Sequence, residues 1–293
     1  MTPTLLSFGH GYTATALEHH LMPRDWRIIG TTRSEDKAAA LLAQGVEPRL
    51  WPGADLTRAL DAATHLLISI GPGAAGDIVL GELGDAIAAR AAQFEWVGYL
   101  STTGVYGDHD GGWVDEDTPL TPTTDRGRAR VEAEAQWRAI PGLPLHIFRL
   151  AGIYGPGRGP FSKVRTGTAR RIIKPGQVFS RIHVEDIAQV LAASIDRPNP
   201  GAVYNVCDDD PAPPQDVIAY AAELLDMPVP EAIPFENADL SPMARSFYAE
   251  SKKVRNDRIK SELGVSLRFP DYRSGLRDLL AAEEAQRQAT PAP

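Results

Sequence analysis

The sequence predicts a doubly wound α/β fold, a parallel β-sheet with helices on both faces and a small C-terminal lobe. Two observations carry it. Short apolar runs alternate with amphipathic stretches over most of the chain, and the first run ends in a glycine-rich turn that opens a helix. At 293 residues the chain can build one large domain, or a domain with an attached lobe, around a substantial core.

The runs LLSF (5–8), RIIGT (27–31), HLLISI (65–70), WVGYL (96–100), LHIFRL (145–150) and AVYNV (202–206) read as buried parallel strands. A further strand near VEPRLW is weakened by Pro48, which has no amide hydrogen to give to a ladder. Between them TATALEHHLM, EDKAAALLAQ, DIVLGELGDAIAARAAQ and ARVEAEAQWRAI carry helical patterns, so the strands connect through right-handed crossovers. After Leu150 proline and glycine loosen the pattern, in AGIYGPGRGPFSKV, DDDPAPPQDV and MPVPEAIPFENADLSP. The expected division is a sheet-and-helix core over 1–150 completed by about 181–208, a small lobe from 151–180 and 209–285, and a flexible tail over 286–293.

Charge narrows the partners. Thirty basic residues against 38 acidic ones give a net charge of −8, spread along the chain, which speaks against nucleic acid and anionic lipid. No apolar run has the length of a membrane span, and the N-terminus has no basic segment followed by a long apolar one, so the expectation is a cytoplasmic protein. The single Cys207 excludes an internal disulfide framework and a thiolate-rich metal site. Asp108, His109 and Asp110 are adjacent on one short loop and cannot readily converge on one ion, so no metal is expected.

FGHGYTA follows the first strand and places Gly9, Gly11 and Ala14 in a G-x-G-x-x-A arrangement, the pattern of a Rossmann sheet. Glycines let a pyrophosphate approach backbone amides at a helix N-terminus, and Ala14 keeps helix and strand close. An NAD site usually has an acidic residue at the end of the second strand, about 20 residues on. Here stand Gly30, Thr31, Thr32 and Arg33: two hydroxyls and a guanidinium, which suit a 2′-phosphate and point to NADP rather than NAD. The alternative is that Arg33 pairs with Glu35 or Asp36 in solvent.

STTGVYGD (101–108), RLAGIYGPGR (149–158), RIHVEDIA (181–188) and YNVCDDDP (204–211) follow or open the later elements. With the glycine turn they resemble the extended short-chain dehydrogenase/reductases, the NAD(P)-dependent sugar epimerases and dehydratases, from about Leu5 to about Leu280. The resemblance implies that Thr102 hydrogen-bonds the reacting oxygen; Thr103 beside it can also donate to a carbonyl, and Tyr106 is typically a packing residue in the family, contact with substrate being its alternative role. It implies that Tyr12 covers the pyrophosphate, that Gly71 and Ser101 lie along the cofactor, and that Ala151 and Ile153 flank the nicotinamide. It makes His183 an internally bonded histidine, has Asp186 position the helix it opens, and makes a homodimer the expected assembly. Family members that take nucleotide sugars often have an arginine where this chain has Phe179, a departure that speaks against such a substrate.

The family's Tyr-x-x-x-Lys pair falls within TTDRGRARVEAE (123–134), where aligning RVEAE with Lys-Leu-x-x-Glu puts Arg126 at the tyrosine and Arg130 at the lysine. A guanidinium stays protonated and has no exchangeable acid/base role, although Arg130 can still donate to a ribose hydroxyl. Four residues apart, Arg126 and Arg130 share one helix face, at a helix N-terminus that disfavours cations by about 0.3–1 kcal/mol each. A bound phosphate or carboxylate would offset that cost, and so would pairing with Glu132, Glu134 or Asp117. The expected function is an NADP-dependent oxidoreductase of an atypical kind acting on a small or anionic carbonyl or hydroxyl compound. Two readings stay open beside it: a catalytically silent NADP(H) sensor, and a nucleotide-sugar epimerase or dehydratase.

Overall fold

Runs that are apolar on both faces can be covered only by helices on both sides, and the sheet is built that way. The computed structural model describes residues 2–289. Among these, seven parallel strands form one sheet: β1 (Thr4–Phe8), β2 (Arg27–Thr32), β3 (Glu47–Leu50), β4 (His65–Ile68), β5 (Trp96–Thr102), β6 (Leu145–Leu150) and β7 (Val203–Val206). They lie in the order β7-β6-β5-β4-β1-β2-β3, so the direction of winding reverses between β1 and β4. The crevice above that reversal is where open sheets of this kind bind ligands. Pro48 is accommodated because β3 is the outermost strand and bonds on one side only, with Pro48 opposite Gly30.

Helices α1 (Tyr12–Leu21) and α6 (Val184–Asp196) pack side by side on one face, closing a core that includes Leu17, Leu21, Ile187 and Leu191. The helix α2 (Glu35–Ala43) packs beside β3. On the other face α3 (Thr57–Ala62), α4 (Ile78–Ala88) and α5 (Asp125–Arg138) cover a second core with Leu60, Val79, Ile87 and Trp137. No helix among the described residues is long and apolar enough to cross a membrane.

Beyond Leu150 the chain makes short parallel pairs: Gly152–Tyr154 with Arg181–His183, and Arg171–Ile173 with Ala232–Pro234. A third pair brings Lys253–Val254 back to Trp113–Val114 beside the loop after β5. Helices α7 (Pro214–Leu224) and α8 (Tyr272–Ala289) close a third apolar cluster around Tyr154, Phe161 and Tyr272. The segment expected as a tail is helical as far as Ala289, and its last four residues, 290–293, lie outside the described residues. His183 caps α6 by accepting from the Glu185 amide at 3.2 Å. Asp186 accepts from the Arg268 and Phe269 amides at 2.7 and 3.0 Å, fastening that returning segment to α6.

Candidate functional site

The glycine turn is held from below by β2. Gly9, in the left-handed region at φ 74°, donates its amide to the Thr31 hydroxyl at 2.8 Å, and the His10 amide donates to the Thr31 carbonyl at 2.9 Å. A β-carbon at Gly9 would stand 2.5 Å from Ile70, so the turn presses against the chain that leaves β4. Gly11 is the N-cap of α1, with no side chain capping it and no acidic residue in the first turn. The first-turn amides are left to an external acceptor, as anion sites at helix N-termini require. Ala14 is fully buried against the sheet.

His10, a residue the sequence did not single out, lies wholly inside, with Nε2 2.9 Å from the buried Glu18 carboxylate. Burial holds its imidazole below the ordinary histidine range against the opposing pull of Glu18. Tyr12 bridges the turn to the loop after β6: its hydroxyl donates to the Pro156 carbonyl at 3.0 Å and Arg158 lies over its ring at 5.3 Å.

At the end of β2 the expectation needs correction. Thr31 is 1 % exposed and its hydroxyl is occupied by the glycine turn, so it supports the cleft instead of facing a ligand. Thr32 is also buried and accepts from the Ser34 amide at 3.3 Å. Arg33 is exposed and, among the described residues, pairs with neither Glu35 nor Asp36. Ser34 caps α2 by accepting from the Lys37 amide at 3.3 Å.

Ser101, expected along the cofactor, lies in the core instead, and Tyr106 is a packing residue and not a substrate contact. Ser101 is buried and donates to Glu134 at 2.6 Å, and Tyr106 is fully buried, donating to Asn205 at 2.7 Å and accepting from Arg149 at 2.9 Å. Glu134 and Arg149, each side chain 3 % exposed, form a two-point ion pair at 2.8 and 3.2 Å. Burial pushes the Tyr106 phenol up to about 12, and it touches no open space. Nothing in single-sequence spacing separates a strand-end hydroxyl that faces outward from one that faces a partner underneath.

Thr102 remains half-exposed at the end of β5, its oxygen accepting from the Gly104 amide at 3.1 Å while its own proton is free to be donated. Thr103, next in the turn, is also half-exposed. Thr124 caps α5 through the Gly127 amide at 3.1 Å. Arg128 is tied to Asp125 at 2.5 Å and to the Thr123 carbonyl at 3.0 Å. Arg126 is exposed and has no hydrogen bond or ion pair among the described residues.

Arg130 lies half-buried one turn below. It donates to the Leu100 carbonyl and to the Tyr99 hydroxyl at 3.4 Å, with its guanidinium 5.6 Å from the centre of the Tyr99 ring. It also lies against Gly71, where a β-carbon would be 2.6 Å from its Nη2. Arg130 thus reaches from α5 to the chain leaving β4, beside the reversal point of the sheet. Tyr99 is buried beneath it, its phenol pushed up to about 12 by burial. Ala151 is buried, with its amide given to Val206 at 3.0 Å, and Ile153 is half-buried in its short strand.

A doubly wound parallel sheet with a tight glycine turn, an uncapped helix above it and a cationic helix across the reversal point defines a protein of the Rossmann nucleotide-binding class. Residues 82–207 match the NAD dependent epimerase/dehydratase family. The protein YeeZ of Escherichia coli K12 is 31% identical over 278 residues, covering 90% of this chain and 95% of its own length. The chain belongs to the NAD dependent epimerase/dehydratase family. It is also similar, at 70% identity and TM-score 0.92 over 97% of this chain and 100% of the other, to a functionally unknown conserved protein from Silicibacter pomeroyi DSS. The UDP-glucuronic acid 4-epimerase of Bacillus cereus in complex with NAD shares the fold at TM-score 0.76 and 16% identity, covering 95% of this chain and 99% of that one.

Proposed function

We propose that the chain is an NADP-dependent oxidoreductase acting on a small carbonyl or hydroxyl compound that carries a negative charge. The observation that carries this reading is the face of α5, where an unpaired Arg126 stands one turn above an Arg130 fixed against Gly71. Arg126 grips the anion, Arg130 holds the nicotinamide ribose and Thr102 polarises the oxygen of the substrate. A dinucleotide fits the residues present. The open first turn of α1 suits its pyrophosphate, and Arg33, exposed and without an acidic partner, suits a 2′-phosphate. The NAD complex of the B. cereus fold relative supports a nicotinamide cofactor without deciding between NAD and NADP.

Arg33→Ser is expected to weaken NADPH binding by about tenfold or more, the loss of one charge-assisted contact, while leaving NADH affinity nearly unchanged. Nucleotide fluorescence titration measures both, and an equal effect on the two nucleotides would return the choice to NAD. Gly71→Ala is expected to leave the unfolding midpoint within about 0.5 kcal/mol of the parent, since Arg130 is flexible enough to yield. It should still weaken nucleotide binding severalfold, because the displaced guanidinium loses the Leu100 carbonyl. An unchanged dissociation constant would remove Arg130 from the cofactor site.

One observation favours a second reading, a silent NADP(H) sensor: neither Arg126 nor Arg130 can shuttle a proton. Steady NADPH consumption with any of a panel of α-keto acids and aldehydes excludes it.

A further inference from the structure

The chain has eight tyrosines. The hydroxyls of Tyr12, Tyr99, Tyr106, Tyr154 and Tyr220 have hydrogen-bond partners, and Tyr204 and Tyr272 are shut in the core. Among the described residues this leaves Tyr248 as the phenol that is half-exposed and has its hydroxyl uncommitted.

Its neighbours fix where that phenol stands. Two residues on, Glu250 accepts from the Thr123 hydroxyl at 2.5 Å, and Thr123 immediately precedes the cap of α5, three positions before Arg126. Lys252 donates to the Gly107 carbonyl at 2.6 Å, in the loop that leaves Thr102, and to Glu250 at 2.7 Å. On the other side the Tyr248 ring packs against Phe235 at 5.3 Å and Phe179 at 5.7 Å, and Lys174 donates to the Tyr248 carbonyl. Phe179 leads into Arg181, which pairs with Gly152 in the short strand beside Ile153. The segment that carries Tyr248 is therefore tied through Glu250 to the residue before the cap of α5, and its ring rests on the segment that leads into the partner strand of Gly152–Tyr154. Of the charged groups around it, Arg181 is the one whose field reaches the phenol, Lys174 donates to the Tyr248 carbonyl, and Asp108 accepts from the Ser251 amide at 2.7 Å with Lys174 and Lys252 beside it. The second carboxylate on this segment, Glu250, is engaged by Thr123 and Lys252.

We propose that Tyr248 supplies the exchangeable proton that Arg126 cannot, acting as the acid/base from the opposite wall of the cleft. The inference rests on the oxidoreductase reading above. A reduced nicotinamide, when bound, would supply the hydride with its two electrons to the carbonyl carbon. Tyr248 releases its hydroxyl proton to the carbonyl oxygen as C=O becomes CH–OH, and its phenolate recovers a proton from water. In the oxidation direction the phenolate takes the alcohol proton instead. Burial pushes the Tyr248 phenol above the ordinary tyrosine value while Arg181 pulls it back, favouring the phenolate the step creates.

The test is made on the full chain with 3-fluorotyrosine at all tyrosines, the resonance of position 248 being identified by its loss in Tyr248→Phe and, independently, in Tyr248→His. Saturating NADP+, whose ring is positively charged, is expected to lower the ionisation midpoint of that resonance by about one pH unit or more, and NADPH to lower it distinctly less. Tyr248→Phe should bind NADPH as the parent does in a fluorescence titration, yet lose at least about a hundredfold in turnover with phenylglyoxylate as carbonyl probe. A midpoint unmoved by NADP+ in a protein that demonstrably binds it overturns the role of Tyr248 and leaves the oxidoreductase reading standing. Failure of both nucleotides to bind overturns the two together.

Discussion

Arg149→Ala is expected to lower the stability of the fold by about 3–5 kcal/mol, read as a fall in the urea midpoint at unchanged m. The guanidinium sits inside with the Glu134 carboxylate at 2.8 and 3.2 Å, and it also donates to the Tyr106 hydroxyl. Truncation leaves a carboxylate in a place where water cannot replace the lost partner. The double variant Glu134→Gln/Arg149→Met, which removes both charges, should recover most of the loss. The pair also has a functional consequence. Arg126, Arg130 and Glu134 recur every four residues along one face of α5, so the bond from Glu134 to β6 sets the rotation of the helix that presents the two arginines. Nucleotide affinity should fall in Arg149→Ala even under conditions where the variant remains folded. A loss of less than about 1 kcal/mol would mean that the pair is neutral in place, with Ser101 and Tyr106 carrying the network.

Much of the fold is legible in the sequence because parallel strands buried on both faces are written as uninterrupted apolar runs. LLSF and LHIFRL need no context to be read, whereas β3 contains Pro48 and becomes a strand only because it lies at the edge of the sheet. The glycine turn is equally plain, since its backbone demands glycine at Gly9. Side chains at the strand ends are harder. Ser101 and Thr102 are adjacent, and alternation along β5 sends one to Glu134 and leaves the other at the mouth of the cleft. Which of the two faces inward depends on a partner 33 residues away that no local pattern announces. The same holds for Tyr106, whose hydroxyl is claimed by residues 43 and 99 positions on. Tyr248 lies in a stretch without periodicity, and only the long-range contacts of Glu250 and Lys252 bring it to α5.

Gly107→Ala is expected to lower stability by roughly 3–5 kcal/mol, from backbone strain together with an overlap that side chains cannot relieve. Gly107 has φ 76° and ψ −152°, a conformation available in practice to glycine alone, and a β-carbon there would lie 1.9 Å from the Thr121 carbonyl oxygen. The obstacle is backbone, so relief requires the loop after Thr102 to part from the segment leading into α5. That segment is tied to the loop by the Thr121 hydroxyl, which donates to the Tyr106 carbonyl at 2.8 Å, while Gly107 itself accepts from Lys252. Separation therefore loosens the first turn of α5 and the strap that carries Tyr248 in one step. Gly104→Ala is the matched control in the same loop. Its φ is not left-handed and the nearest atoms, on Thr102, are 3.5 Å from the added carbon, so a change within about 0.5 kcal/mol is expected. Urea unfolding of the two variants side by side decides the matter. Equal, small losses would mean that the 104–107 and 121–124 segments separate without cost, and that the cleft is not held at this point.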